Sequence, residues 1–414
     1  MRCITSWSQR LPASTAATLL EGRGDSGVGK ARAMAPDELI ALIERNDVRG
    51  RGGAGYPLSK KMRAVRAAVA DTCREPLLIA NAYDADPGSP LARTLIERNK
   101  ANVLQGVAIA AHAIGAVEAI IYMHPEAEAA RSVMEQDIEK RREGLGALVV
   151  TVALGPGGFM GGEESALMNV LESRRAMARQ RPPYPARSGV QQRPTLISSA
   201  ETIAWLPQLV ADGAKPDTKL VSVTGAVRSP GVYEVPLGMA LGAILDKAGG
   251  VVGELKGIQV GGPTGGILAA SKRDVRFGFD ELKAAGTHMG SAQVRAITTE
   301  TCIVGEAAKM FAYLAKETCG ICVPCRVGTA RVQGILESVQ SQLGRDGDVA
   351  WLGELGDHME QFSLCGFGIT APSILRTTMS EFAADYQAHI RDQRCPNGTC
   401  VPIRARRYET MAQP

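Results

Sequence analysis

The chain has 414 residues, of which 45% are apolar, 22% charged and only 4% aromatic, and its 47 basic and 43 acidic side chains leave a net charge of +4. That length and apolar share support about two to four folded domains. Near-neutral charge and scarce aromatic residues exclude nucleic-acid binding built on a basic patch or a base-stacking array. No apolar run reaches the ~18 residues of a membrane span, since Val103–Ala116 is broken by Gln105 and His112, and the first twenty residues lack the apolar core of a signal peptide.

Residues 1–34 form a weakly patterned N-terminal segment. Gly24 to Ala31 nearly spells a phosphate-binding P-loop, but Ala31 stands where the magnesium-binding Ser or Thr belongs and no apolar strand precedes it, so it reads as a loop. Gly24-Asp25-Ser26-Gly27 invites a serine-hydrolase reading, but nothing else assembles a triad. From Ala35 the chain alternates helix and strand. Pro36, Asp37 and Glu38 open a helix whose apolar face carries Leu39, Ile40 and Ile43. A glycine-rich stretch follows, with Gly50, Gly52, Gly53, Ala54, Gly55 and Tyr56, then Lys60 and Lys61. Its backbone can approach a flat or anionic ligand closely, and the lysines supply charge for a phosphate. The bland alternative is a plain turn.

Leu77–Asn81 reads as a short buried strand that runs into Asn81, Tyr83, Asp84 and Asp86, at the strand end where open α/β sheets bind ligands. Val103–Ile114 is an apolar helix whose His112 reads as a satisfied helix residue, Ala119–Met123 a strand, Glu126–Arg142 an exposed helix and Ala147–Ala153 a strand. This βαβ rhythm predicts a mostly parallel sheet within a domain spanning 35–210. The last strand enters a second glycine-rich turn carrying Phe159, Gly162, Glu163 and Glu164, where the adjacent acids point to a ligand role over plain surface residues. Arg175–Gln192 reads as an extended loop with Tyr184 between two prolines.

Residues 215–270 form a separate module of short strands and one helix, Leu241–Ala248, with no nameable catalytic group and a structural or docking role. From 300 to 392 the pattern is helical. There Cys319, Cys322 and Cys325 make a C-x2-C-x2-C run, and Cys365 is the best fourth ligand. Three clustered thiols plus one remote thiol suit a 4Fe-4S cluster, whereas structural zinc usually draws on two C-x2-C pairs. Nine cysteines, five of them in short spacings, suit a reducing cytoplasm. In the tail, 393–414, Cys395 and Cys400 follow His389; these three read either as a second metal site, with zinc the candidate, or as simple thiols and a histidine.

In these motifs the chain resembles the family of flavin-bearing, NADH-oxidising 51 kDa-type subunits of respiratory complex I, which includes the diaphorase subunits of NAD-linked hydrogenases and formate dehydrogenases. The resemblance runs from about Pro36 to Ile390. It rests on the loop Gly50–Pro57 with Lys61, the acidic loop Asn81–Gly88, the Gly161–Glu164 turn, the proline loop around Tyr184, the 218–268 module and Glu317–Arg326 with Cys365. It implies a Rossmann-like parallel-sheet domain for FMN and NADH, a β-grasp (SLBB-like) module and a C-terminal helical bundle carrying the cluster.

The same resemblance implies that Gly52, Gly53 and Lys61 hold the flavin, and that Tyr56 and Tyr184 flank the NADH adenine. Asp86 and Glu164 would accept hydrogen bonds from the nicotinamide end, with Glu164 the catalytic candidate. Ser198 and Ser199 stand where the family has paired asparagines on the flavin, and Tyr83 replaces an acid beside the isoalloxazine. The implied partners are NAD(H), a small thioredoxin-like 2Fe-2S subunit and a larger iron-sulfur, molybdenum or hydrogenase catalytic subunit. Location would be cytoplasmic, or peripheral to a membrane complex. The rival expectation is a relay or scaffold that keeps the fold and the cluster but has lost FMN and NADH.

Overall fold

The computed structural model describes residues 19–20 and 26–400. Four strands, β1 (Leu77–Ala82), β2 (Glu118–Met123), β3 (Val149–Leu154) and β4 (Thr195–Ser199), form an all-parallel sheet in the order β3-β2-β1-β4. β1 is apolar on both faces, the signature of an interior parallel strand, and pairs Ile79 with Ile120 on one side and Ile197 on the other. After β1, Leu91–Ile114 is helical on both sides of a kink at Asn99 (φ −143°); the apolar helix expected from Val103 lies in the second segment, and the first is capped by Asp84, which accepts from the amides of Ala92 (2.8 Å) and Arg93 (2.9 Å). His112 Nε2 bonds the Met34 carbonyl at 3.0 Å, a satisfied helix residue.

The P-loop-like run is another departure. Gly24 and Asp25 lie outside the described residues, and Ser26–Ala33 is a helix packed on the first unit, with Lys30 Nζ donating to Ala211 O at 2.5 Å.

A second sheet contains β5 (Thr218–Gly225), β6 (Gly231–Pro236), β7 (Leu255–Val260), β8 (Gly266–Ala269) and β9 (Gln293–Thr298), in the order β6-β5-β9-β7-β8. The module therefore does not end at residue 270. β9 is its central strand, parallel to β5 and antiparallel to β7, and the polar stretch before it hides its membership from local pattern. The helices Ile303–Glu317, Val323–Gln340, Asp348–Phe362, Gly366–Thr370, Ser373–Glu381 and Ala383–Ile390 follow, and Phe311, Leu314, Val332, Leu336 and Met359 are buried in their common core.

Polar contacts seal the parallel-sheet unit to the β-grasp unit. Ser291 Oγ donates to Asp86 Oδ2 at 2.5 Å, Ser222 Oγ donates to Gly88 O at 2.6 Å, and buried Lys219 pairs with buried Glu201 at 2.5 Å. Leu220 N adds a bond to Glu201 at 2.8 Å, so this carboxylate is well compensated for its burial.

Candidate cofactor pocket and thiolate sites

Where the three units meet lies a cavity of about 420 Å³. The parallel-sheet unit lines it with Arg51–Ala54, with Asn81 and Ser199 at the carboxyl ends of β1 and β4, and with the Phe159–Glu163 turn. That is the sheet edge where parallel α/β folds bind ligands. The β-grasp unit adds Lys219, Thr264, His288 and Ser291, and the helical unit adds Gly366, Phe367 and Thr370.

Asn81 ties two of the loops together, donating from Nδ2 to Gly162 O at 3.0 Å and accepting from Tyr83 N at 3.1 Å. Tyr83 lines the cavity as well. Its ring stacks on Tyr122 with centroids 5.3 Å apart, and its hydroxyl donates to Gly158 O at 2.9 Å. Burial raises its pKa, so it stays a protonated donor. The neighbouring loop must be glycine-rich to lie over this ring, since a Cβ at Gly162 would meet Tyr83 Cδ1 at 2.8 Å. Gly53 lines the cavity and also packs against the β-grasp unit, since a Cβ there would strike the backbone of Gly290 at 2.7 Å.

The paired acids diverge. Glu163 Oε2 caps the helix Glu164–Leu171, accepting from Ser165 N at 2.9 Å and Ala166 N at 2.8 Å, while its Oε1 lies 3.6 Å from Arg181. Glu164 Oε1 instead meets Lys61 Nζ at 3.2 Å, and Lys61 also donates to Ile197 O at 3.0 Å. Both side chains of this pair are partly exposed, which holds its worth to about 1 kcal/mol or less. Gly50, Tyr56, Lys61, Glu164, Tyr184 and Ser198 are not in the cavity wall. Tyr56 and Tyr184 are exposed and Ser198 is buried. Asp86 is in the wall, but its carboxylate is engaged by Ser291 and by Gly88 N, and burial pushes its pKa up.

The pocket suits FMN on one specific ground. Buried Arg51 lines it with Nε lacking a hydrogen-bond partner among the described residues, a donor that a phosphate or flavin oxygen would satisfy. Ser199 Oγ, 2.7 Å from Thr202 Oγ1 at the start of the helix Ala200–Ala204, adds a second polar group. Sequence reasoning missed Arg51, Lys219, His288, Ser291, Gly366 and Phe367. Arg51 was legible, lying between the named glycines, but the others reach the cavity only through long-range packing.

Beside the cavity, Cys322 precedes the helix Val323–Gln340, Cys325 lies in its first turn, and Cys365 precedes the helix Gly366–Thr370. Cys325 and Cys365 are buried, Cys319 and Cys322 half-buried. The other three thiols all act electrostatically on Cys325, whose pKa burial pushes to about 12. A buried thiol so hard to ionise becomes a thiolate ligand where a metal cation offsets its charge. The four thiols are thus brought together from two segments forty residues apart, the convergence a four-thiolate cluster needs. His389, Cys395 and Cys400 make a second cluster. They converge with Cys302, which sequence reasoning left out, and all four ligand atoms lie within 4.8 Å of each other.

Comparison with known proteins agrees with this architecture. Residues 43–208 match the Nuo51 FMN-binding domain, 220–268 the SLBB domain, and 305–389 the NADH-ubiquinone oxidoreductase-F iron-sulfur binding region. The F 2 subunit of the NADH-quinone oxidoreductase of Rhizobium meliloti (strain 1021) is 34% identical over 384 residues, covering 87% of this chain and 90% of that protein. The HndC subunit of the NADP-reducing hydrogenase of Solidesulfovibrio fructosivorans is 32% identical over 404 residues, 92% of this chain and 82% of that protein. A crystal structure of NAD+-reducing [NiFe]-hydrogenase in the H2-reduced state superposes with a TM-score of 0.83 at 30% identity, covering 90% of this chain and 66% of that longer chain. No helix among the described residues is long and apolar enough to cross a membrane. The chain belongs to the 51 kDa-type flavoprotein family, which unites the F subunits of NADH-quinone oxidoreductases with the diaphorase-type subunits of NAD(P)-linked hydrogenases.

Proposed function

We propose that this chain exchanges hydride with NAD(H) at the three-unit cavity and single electrons with a 4Fe-4S cluster on Cys319, Cys322, Cys325 and Cys365, as one subunit of a larger NAD(H)-linked oxidoreductase. Bound FMN supplies the chemistry that links a two-electron carrier to a one-electron carrier. The observation that carries this reading is the continuity of the wall: Gly366 and Phe367, which border the cavity, directly follow Cys365. A group seated against this part of the wall would touch the peptide that follows a proposed cluster ligand.

Within this reading, Arg51 Nε and the loop at Gly52 bind the flavin's anionic end, and Ser199 replaces the longer amide found in relatives. Glu164, 3.2 Å from Lys61 and next to the cavity-lining Glu163, accepts a hydrogen bond from the nicotinamide end of NAD(H). The exposed rings of Tyr56 and Tyr184 are free to stack on adenine. The exposed apolar residues Ile321, Val323 and Phe362, close in sequence to the cysteines, support a docking face for the next electron carrier. That carrier would be a small thioredoxin-like 2Fe-2S subunit, leading to an iron-sulfur, molybdenum or hydrogenase catalytic subunit in the cytoplasm.

The test is flavin content and NADH-ferricyanide reductase activity of the purified chain. About one FMN per chain with NADH activity is expected. Glu164→Gln should lower kcat/KM for NADH by roughly tenfold, equivalent to ~1.4 kcal/mol, with flavin retained. A chain that binds iron but neither flavin nor NADH would establish the relay instead.

A further inference from the structure

We infer that Cys302, His389, Cys395 and Cys400 form a closed structural zinc site that staples the C-terminal tail onto the junction between the β-grasp and helical units. The local structure prepares each ligand. Cys302 follows β9 and caps the helix Ile303–Glu317, where Gly305 N donates to its sulfur at 3.3 Å. His389, fully buried on the last helix, contacts the Asp385 carbonyl through Nδ1 at 2.6 Å. That bond fixes the tautomer with its proton on Nδ1 and leaves the Nε2 lone pair free, the usual outer-shell arrangement for a metal-binding imidazole. Nε2 faces Cys302 Sγ at 3.4 Å.

The other two ligands come from one turn. Gly398 N donates to Cys395 O at 3.1 Å, and Gly398 adopts φ +65°, so Cys395-Pro-Asn-Gly folds back on itself and returns Cys400 beside Cys395.

The spacing fits one ion. Tetrahedral zinc with Zn–S of about 2.3 Å and Zn–N of about 2.0 Å sets neighbouring ligand atoms roughly 3.5–3.8 Å apart. The 3.4 Å contact between Cys302 Sγ and His389 Nε2 is close to that spacing, and all four ligand atoms lie within 4.8 Å of one another, near enough to close on one ion. The eight cysteines among the described residues, these three included, are free of disulfides, and three thiols with one imidazole, three of the four groups buried, make a donor set that favours zinc over hard cations. With four protein ligands and no open position the site is structural, and zinc, having no redox chemistry, lies off the electron path.

Its mechanical role follows from what surrounds it. Residues 391–400 have no helix or strand to hold them, but Lys256 of β7 reaches Asp385 at 2.7 Å, Thr301 O at 3.2 Å and Asn397 at 3.2 Å, and Asn397 also donates to Thr299 O. The zinc would join the same three segments covalently: the exit from β9, the last helix and the tail.

Metal analysis of the anaerobically purified full chain should give about one zinc beside about four iron atoms. Zinc-edge X-ray absorption should show three sulfurs at about 2.3 Å and one nitrogen. Cys395→Ser with Cys400→Ser should lose the zinc while keeping iron and its visible absorbance, which separates ligand loss from misfolding. Three results would overturn the inference: no zinc in protein expressed with added zinc, a four-sulfur shell that assigns the zinc to the other cysteines, or a disulfide joining any two of Cys302, Cys395 and Cys400. The iron and flavin readouts are independent of this site, so its failure would leave the proposed electron-transfer role standing.

Discussion

The Phe159 ring packs on the Phe367 ring with centroids 5.4 Å apart, which fastens the glycine turn of the cavity to the residue two places beyond Cys365. On its other side, Phe159 N donates to Glu317 Oε2 at 2.7 Å, two residues before Cys319. The turn is thus held from both thiol-bearing segments, so cavity shape and thiol placement are mechanically coupled. Phe367→Ala should cost about 3–5 kcal/mol in urea unfolding, because the ring is buried and leaves a void. It should also slow cluster reduction by NADH in stopped-flow measurements while flavin content holds. Unchanged reduction kinetics would separate the two sites.

The Ser291–Asp86 bond joins the β-grasp unit to the first unit across the cavity wall. Ser291→Ala leaves a buried carboxylate with one donor fewer and should destabilise by about 1–3 kcal/mol. Asp86→Asn removes the charge whose burial is costly and should be milder, since the amide can still accept from Gly88 N. Urea midpoints of the two variants decide this; equal losses would mean that burial of the charge matters little.

Cys365→Ser removes the one thiol contributed by the distant segment. Cluster iron should fall from about four atoms per chain to near zero, with FMN and zinc retained. Retention of full iron would require a different fourth ligand.

His288 gives the stability a predictable pH dependence. Burial lowers its pKa from 6.5 to about 4, with Thr264 Oγ1 3.2 Å away, so the unfolded chain binds this proton more readily than the folded one. The stability tied to neutral His288 is therefore complete above about pH 6.5 and is lost as pH falls toward 4. At ~1.4 kcal/mol per pKa unit the loss approaches ~3 kcal/mol, a ceiling because the side chain is only partly buried. His288→Gln should flatten the urea midpoint between pH 6.5 and 4.5 relative to wild type, and a parallel pair of curves would refute the assignment.

What the sequence determined by itself is whatever rests on short-range pattern. Apolar runs such as Leu77–Asn81 dictate buried parallel strands, glycine pairs mark the two turns, and two-residue spacing groups Cys319, Cys322 and Cys325. It did not reveal which distant residues would be pressed together. Local pattern assigns β9 to no element, and only its insertion between β5 and β7 brings His288 and Ser291 to the cavity wall. Cys302 looks like a lone thiol until chain reversal sets it 3.4 Å from His389, eighty-seven residues away. Local pattern fixes conformation because the backbone's choices depend on near neighbours, whereas these contacts form only after loop closure, whose entropy depends on chain length and carries no residue signature.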